Sequence, residues 1–411
     1  MPDTNSCPPS VLVVASSFYT AALEPPFLNS LGPRTAEVSL SSIPYNQLHT
    51  FLLDPGSAIP EDTPARVVLF LRLEDLIRFE LAAGTQVRTA EEAGVLAFRK
   101  RSEEFLEVLG RVARLRLAVF MCPSGRGAYD LKFLGNGLRV AEHKIMAELR
   151  RQQRHLVIPW TEFEAARMPE NCFNPSGDRL GHVPFSPAGL KRVAEFVLAQ
   201  WERLPVTVLA KRAESTSSAL EQFLATLETE IRTAPLAPED EQQAVNVVRH
   251  TTHFVNLPNR KWMEGGIQAM AADRRGGEAW AIRVRDRFGD YGVSGAVTFG
   301  MEENVMRVGL LFLSCPVLGR QVEHAVLGWL ANVAEQRGAE WIEVPFIAGR
   351  DNQVMLKFFK ALSREPASGG DQLFRLRVEG LSERAIHQAP CPAIAGTILN
   401  SLQVDAVPLS V

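Results

Sequence analysis

The chain has 411 residues, 46% of them hydrophobic, with 44 basic and 47 acidic side chains for a net charge of −3. That is enough chain and apolar content for two or three packed domains, which excludes wholesale disorder. Balanced charge with no Lys/Arg-rich block excludes the electrostatic footprint of a nucleic-acid binder, and no apolar run approaches the ~20 residues that span a bilayer.

Cys7, Cys122, Cys172, Cys315 and Cys391 stand apart in sequence. None forms a CxxC pair, so neither a zinc site nor a disulfide framework is expected. Met1-Pro-Asp-Thr-Asn-Ser6 carries no basic segment of a secretory signal, and a cytoplasmic location is expected.

In chain order, Val11-Leu-Val-Val14 is a short buried strand that ends in Ala15-Ser16-Ser17-Phe18. Val67-Val-Leu-Phe-Leu71 is a second, ending in Arg72-Leu73-Glu74-Asp75, with a helix predicted through Ile77 and Phe79. A long helix is predicted over 92–112, with Leu96, Phe105, Leu106 and Leu109 on one face. Strands at 115–121 and 156–159 and helices over 139–153 and 187–204 complete this half. Alternating strand and helix implies a parallel sheet covered on both faces, with chemistry beyond the carboxyl ends of its strands.

Three segments meet at those ends: Ser16/Ser17, Glu74/Asp75, and Asp178-Arg-Leu-Gly-His182 just before the last helix. Their order resembles the SGNH hydrolase family, in which a serine follows the first strand and Asp and His precede the last helix. The resemblance implies Ser17 as nucleophile, His182 as base and Asp178 as the acid that orients it. The family's Asp-x-x-His is Asp-x-x-x-His here, and its Gly-x-Asn-Asp block is Arg72-Leu73-Glu74-Asp75. An ionised glutamate cannot donate to an oxyanion. Ser16 and Ser17 equally suit a helix cap.

Ser218-Ala-Leu-Glu221 is a capping box that opens a predicted helix bearing Leu220, Phe223, Leu224, Leu227 and Ile231. Ala234-Pro-Leu-Ala-Pro238 ends it and marks the predicted domain boundary. A helix is predicted over 239–252, then a hairpin of 279–285 and 293–299 around the turn 286–292.

Val308-Gly-Leu-Leu-Phe-Leu313 is an apolar strand, followed by the turn Ser314–Arg320 and a helix through Val322, Val326, Leu327 and Leu330. Such a turn aims backbone N–H groups and a helix's positive end at an anion. Predicted strands at 341–345 and 373–378 flank a helix over 352–362. This order resembles the N-acetyltransferase fold, whose corresponding unit cradles the pantetheine–pyrophosphate arm of an acyl donor. The cofactor-binding candidates are Leu313, Ser314, Cys315, Val317, Leu318, Gly319, Arg320 and Gln321.

The fold class expected is α/β: a parallel-sheet SGNH/flavodoxin-like domain over 1–205, a linker with a helix over 206–238, an N-acetyltransferase-like α+β domain over 239–380, and a tail over 381–411.

Several segments together resemble one family. Ala15-Ser-Ser-Phe18, Pro44-Tyr-Asn-Gln47, Leu53-Asp-Pro-Gly-Ser57, Arg72-Leu-Glu-Asp75 and Leu180-Gly-His-Val-Pro-Phe-Ser-Pro187 look like the amino-terminal part of FkbH-like proteins. Arg285-Asp-Arg-Phe-Gly-Asp-Tyr-Gly292 and Leu313-Ser-Cys-Pro-Val-Leu-Gly-Arg320 look like their carboxyl-terminal acyltransferase-like domain. Those proteins act in polyketide pathways, where they load a glyceryl unit onto an acyl carrier protein.

The family's central haloacid-dehalogenase-type phosphatase domain is missing. Where its Asp-x-Asp would follow a strand, this chain has Val206-Thr-Val-Leu-Ala210 and then Lys211-Arg-Ala-Glu-Ser215. No phosphoryl-accepting carboxylate and no magnesium site are expected. The family's Arg-x-x-Gly-x-Gly turn is Pro316-Val-Leu-Gly319-Arg-Gln321, and a tyrosine general acid is replaced by Phe359. Ser314, Cys315, His324 and Glu343 remain as candidates in this half.

The resemblance implies an acyltransferase of polyketide or hybrid peptide–polyketide biosynthesis. It would work with an acyl thioester of carrier-protein phosphopantetheine or coenzyme A and no metal, with an acyl carrier protein as partner. A catalytically inactive carrier-binding module and a serine esterase or thioesterase are the alternatives.

Overall fold

A computed structural model describes residues 10–44, 47–77, 89–124, 131–166, 171–211, 218–251, 253–257, 266–272, 277–349, 352–363 and 371–405. The chain forms two compact units, 1–220 and 221–411. Cys7 and Phe79 lie outside the described residues.

The first unit is a parallel sheet built from apolar runs. Its strands are β1 (Ser10–Ser16), β2 (Val38–Ser42), β3 (Pro64–Leu71), β4 (Leu117–Met121) and β5 (Leu156–Ile158), in the order β2-β1-β3-β4-β5. Helices cover both faces, so β1 and β3 are apolar almost without interruption. An aromatic layer of Phe18, Phe27, Phe70, Phe120, Phe163 and Phe185 fills one side. The long helix Thr89–Arg111 turns Phe98, Phe105, Val108 and Leu109 inward, while Leu96 is 44% exposed, contrary to expectation.

After β3 the chain makes a 3-10 turn, Leu73–Ile77. Helices Glu24–Leu31 and Leu48–Leu53 and strand β2 carry no strong periodicity and were not expected.

Two caps place the last segment of this unit. The Asn174 side chain accepts from Gly177 N–H and opens the helix Pro175–Gly181. The Ser186 side chain accepts from Gly189 N–H and opens Pro187–Leu198. Gly189 sits where a Cβ would come within 2.3 Å of the Cys172 carbonyl, so only glycine permits that approach.

The expected linker over 206–238 does not exist as such. β6 (Val206–Val208) pairs antiparallel with β3 at Pro64–Arg66 and belongs to the first unit. The helix expected to run to Ile231 stops at Ala225, and Glu228 adopts a left-handed turn (φ 52°). Glu230–Pro235 is then a strand, β7, burying Ile231 and Thr233 on alternate positions. The Pro-rich segment is thus a β7-to-helix connection inside the second unit, not a boundary.

The second unit is a mixed sheet with its remaining strands at Glu278–Asp286 (β8), Gly289–Glu302 (β9), Val305–Leu313 (β10), Trp341–Ile347 (β11), Asp371–Arg377 (β12) and Gln403–Val404 (β13). Their order is β12-β11-β10-β9-β8-β7-β13. The β8–β9 turn is tighter than expected, with Asp286 paired to Gly289. β10 and β11 run parallel, and the helix Val322–Gln336 connects them. The second unit is therefore a mixed-sheet α+β fold, and the first a parallel-sheet α/β fold.

The expected tail is folded. Helices Leu381–His387 and Pro392–Ser401 pack on Val322–Gln336, and β13 extends the sheet beside β7. Leu381, Ala385, Ala395 and Ile398 are buried there, which explains why this stretch is ordered without a strong pattern of its own. Close approach occurs at Gly328, where a Cβ would meet Leu399 Cδ2 at 2.9 Å. Among the described residues, no helix is long and apolar enough to cross a membrane.

Candidate functional site

The register of β1 on β3 sets the first site. Ser16 lies opposite Phe70, and Ser17 N–H continues the ladder to the Phe70 carbonyl at 3.0 Å. Ser17 therefore meets Arg72 as both strands end. Its hydroxyl accepts from Arg72 N–H at 2.9 Å and donates to Asp75 Oδ2 at 3.0 Å, with the Arg72 carbonyl at 3.1 Å. Ser17 is half-buried. Ser16 is turned inward, donating to the Phe18 carbonyl and sharing a bond with Thr20 Oγ1.

Arg72 is 2% exposed and lies at the centre of three carboxylates. Its Nε and Nη2 grip Asp75 at 3.0 and 2.5 Å, its Nη1 and Nη2 grip Asp178 at 2.9 and 2.7 Å, and Glu74 Oε1 is 3.6 Å from Nη1. A planar guanidinium suits two such forks at once. Burial alone would lower the arginine's pKa, but Asp75 and Asp178 reverse that and hold it well above its ordinary value. Burial raises the Glu74 carboxyl, Arg72 opposes the rise and Asp75 adds to it.

The structure brings Ser17, Asp178 and His182 to the same end of the sheet but joins them differently from the expected triad. Asp178 places both oxygens on Arg72. His182 is the left-handed cap (φ 56°) of the helix Pro175–Gly181, and its carbonyl accepts from Tyr19 N–H at 2.9 Å. Among the described residues, the hydroxyl of Ser17 bonds to Asp75 and to the backbone of Arg72, not to His182. Arg72 and Asp75 are thus the residues that sequence reasoning missed as partners. Their position directly after a strand end was the available signal. Cys122 lies nearby, but burial pushes its thiol far up.

In the second unit, Leu313 ends β10, and Cys315–Val317 forms a 3-10 turn. Leu318 is buried, and Gly319 adopts φ 75°. Ser314, Val317 and Leu318 spend their N–H groups within the protein, on the carbonyls of Ser294, Ser314 and Cys315, and Pro316 has no N–H. Gly319 N–H donates to Glu323 Oε1 at 3.3 Å. Arg320 donates to the Pro316 carbonyl and pairs with Asp286. Gln321 is fully buried at φ 70°, and its side-chain oxygen accepts from Cys391 N–H. It faces the terminal helices, not solvent.

Cys315 Sγ lies 3.9 Å from His253 Nδ1, and both are buried. His324 packs edge-on against Phe358 at 5.0 Å. Glu343 is buried and paired with the partly exposed Arg307 and Arg375, and Phe359 is core. Among the described residues, no group of three or more His, Cys, Asp or Glu side chains is placed to hold a metal ion.

No family model matches the chain, and no curated protein matches it. Solved structures do. An acetyltransferase of the GNAT family from Staphylococcus aureus Mu50 is 8% identical, over 36% of this chain and 99% of its own, with a TM-score of 0.28. N-acetylglutamate synthase from Neisseria gonorrhoeae, complexed with coenzyme A and L-arginine, is 10% identical over 90% of this chain and 95% of its own, with a TM-score of 0.25. The amino-terminal part of a Bacteroides fragilis protein, containing a phosphatase domain complexed with Mg, is 13% identical over 48% of this chain and 52% of its own, with a TM-score of 0.35.

Proposed function

We propose that the chain is an acyltransferase of polyketide or hybrid peptide–polyketide biosynthesis, acting in the cytoplasm, in which Ser17 takes the acyl group. The observation that carries the chemistry is the half-buried Ser17 hydroxyl, held between Arg72 N–H and the Asp75 carboxylate at the carboxyl edge of a parallel sheet. The pathway and the acyl carrier protein partner rest on the sequence resemblance.

In the step proposed, Ser17 Oγ attacks the carbonyl carbon of a pantetheine thioester. The C–O bond forms as the C–S bond breaks. The serine proton passes to Asp75 Oδ2 along the existing hydrogen bond and on to the leaving thiolate, which departs as a thiol. Asp75 keeps its two hydrogen bonds from Arg72 Nε and Nη2 as it takes the proton; a thioester, with its good leaving group, asks less of a base than an amide does. An acceptor then attacks the acyl-serine and restores the hydroxyl.

Intact-protein mass spectrometry after incubation with acetyl- and malonyl-coenzyme A and an acylated carrier protein tests this. The expected result is one acyl mass per chain, absent from Ser17→Ala. An adduct that persists in Ser17→Ala overturns the assignment.

A second reading, an inactive carrier-binding module, is favoured by Asp178 being committed to Arg72. Under that reading no adduct forms with any donor, while a phosphopantetheinylated carrier still binds.

A further inference from the structure

The geometry points to a carboxyl-terminal unit that fills its own acyl-donor cleft: the segment His253–Asn256 stands where a pantetheine arm would lie between β10 and β11. This goes beyond the Ser17 reading and does not depend on it.

β10 and β11 pair directly only where Val305, Met306 and Arg307 face Trp341, Ile342 and Glu343. Beyond that the strands part, and every backbone group facing the gap needs a partner. A pantetheine arm, with its two amides, would supply such partners if the gap were open. Here the chain supplies them. Asn256 N–H donates to the Leu311 carbonyl at 3.1 Å, Leu313 N–H donates to the Phe254 carbonyl at 3.0 Å, and Val255 bridges Phe312 antiparallel. On the other side, Ile347 N–H donates to the Asn256 carbonyl at 2.9 Å.

The Asn256 side chain completes the seam. Its Nδ2 donates to the Gly309 and Pro345 carbonyls, each at 2.9 Å, and its Oδ1 accepts from Leu311 N–H at 2.8 Å. It thus joins β10 to β11 through one fully buried amide. Asn352 Nδ2 adds bonds to the Val255 and Ile347 carbonyls at 3.1 and 3.0 Å.

The phosphate end carries a competing group. The seat at the start of the helix Val322–Gln336 holds the protein's own carboxylate, Glu323, bonded to Gly319 N–H and to its own backbone N–H. These residues do not fit a bound coenzyme A. Displacing the segment would also expose Phe254 and Val255, which belong to two separate apolar clusters. The thioester of the proposed reaction is accordingly met elsewhere than in this cleft.

Hydrogen exchange on the full chain, with and without millimolar coenzyme A or phosphopantetheine, tests the inference. The amides of Leu311, Leu313 and Ile347 are expected to exchange as slowly as those of the β8–β9 ladder, and to change by less than about twofold on adding either compound. Exchange at those amides about 100-fold faster than in β8–β9, or a saturable change there with either compound, would overturn it. Ser17→Ala protein should give the same profile, so failure of the Ser17 assignment leaves this result standing.

Discussion

Arg72 and Asp178 are 106 positions apart and form a two-pronged ion pair at 2.7 and 2.9 Å with almost no exposure to water. The pair ties the end of β3 to the helix Pro175–Gly181, and through Asp75 the same guanidinium reaches Ser17.

Removing one side of such a pair strands a buried charge. Arg72→Met should cost about 3–5 kcal/mol of stability. Arg72→Lys should recover only part of that, because an ammonium cannot fork to two carboxylates at once. Chemical denaturation of the three proteins checks both; equal stability of Arg72→Lys and the parent would show that the fork is not needed.

Asp75, not His182, is the hydroxyl's partner. Asp75→Asn should slow acyl-adduct formation by about 10²–10⁴-fold, the range of general acid–base assistance, while His182→Ala should slow it less than about tenfold. Time-resolved mass spectrometry with a single acyl thioester decides. The reverse order of effects would return His182 to the role of base.

Asn256→Ala leaves carbonyls at Gly309 and Pro345 and an N–H at Leu311 with lost partners. A stability loss of about 2–4 kcal/mol is expected, since unmade buried bonds carry their desolvation cost. Thermal unfolding measures it. A loss below the scatter of surface substitutions would mean that the seam is soft.

Glu323 and His324 bias pH dependence in opposite senses. Burial pushes the Glu323 carboxyl from its ordinary 4.5 up to about 7, only partly opposed by the N–H groups it accepts. Folded Glu323 holds its proton more tightly than the unfolded chain, so the stability it contributes is present below 4.5 and is lost as pH rises to about 7. Burial pushes His324 from 6.5 down to about 4, so its contribution is present above 6.5 and is lost as pH falls towards 4.

The two slopes oppose each other where they overlap. Relative to the parent, Glu323→Gln should gain about 1–2 kcal/mol between pH 4.5 and 8, a modest figure because the carboxyl keeps 13% of its exposure. His324→Gln should gain relative to the parent as pH falls through 6.5. Denaturation at stepped pH reads both; parallel profiles for parent and Glu323→Gln would contradict the raised carboxyl.

Strands were legible wherever a continuous apolar run met burial on both faces, as at Val11–Val14 and Val308–Leu313. Pattern misled at Leu227 and Ile231, whose spacing suits a helix. Glu228 breaks the chain between them, and Ile231 and Thr233 alternate as a strand. At the site, strand ends pointed to Ser17, Asp75, Asp178 and His182 together. Who pairs with whom did not follow, because Arg72 reaches a partner 106 positions away and no spacing marks such a contact. His253–Asn256 was equally silent. It lies just past the predicted helix over 239–252, and its extended pairing is supplied by the gap between β10 and β11.

That gap also bears on how the second unit assembles. Its seam needs three distant stretches at once: Asn256 meets Leu311 across 55 positions and Pro345 across 89, while Asn352 meets Val255 across 97. Loop-closure entropy must be spent before any of those bonds form. The β8–β9–β10 meander pairs neighbours in sequence, whereas the bonds of Asn256 to Leu311 and Pro345 close long loops. Substitutions at Asn256 should therefore speed unfolding while leaving the folding rate nearly unchanged, the mark of a contact made after the rate-limiting barrier.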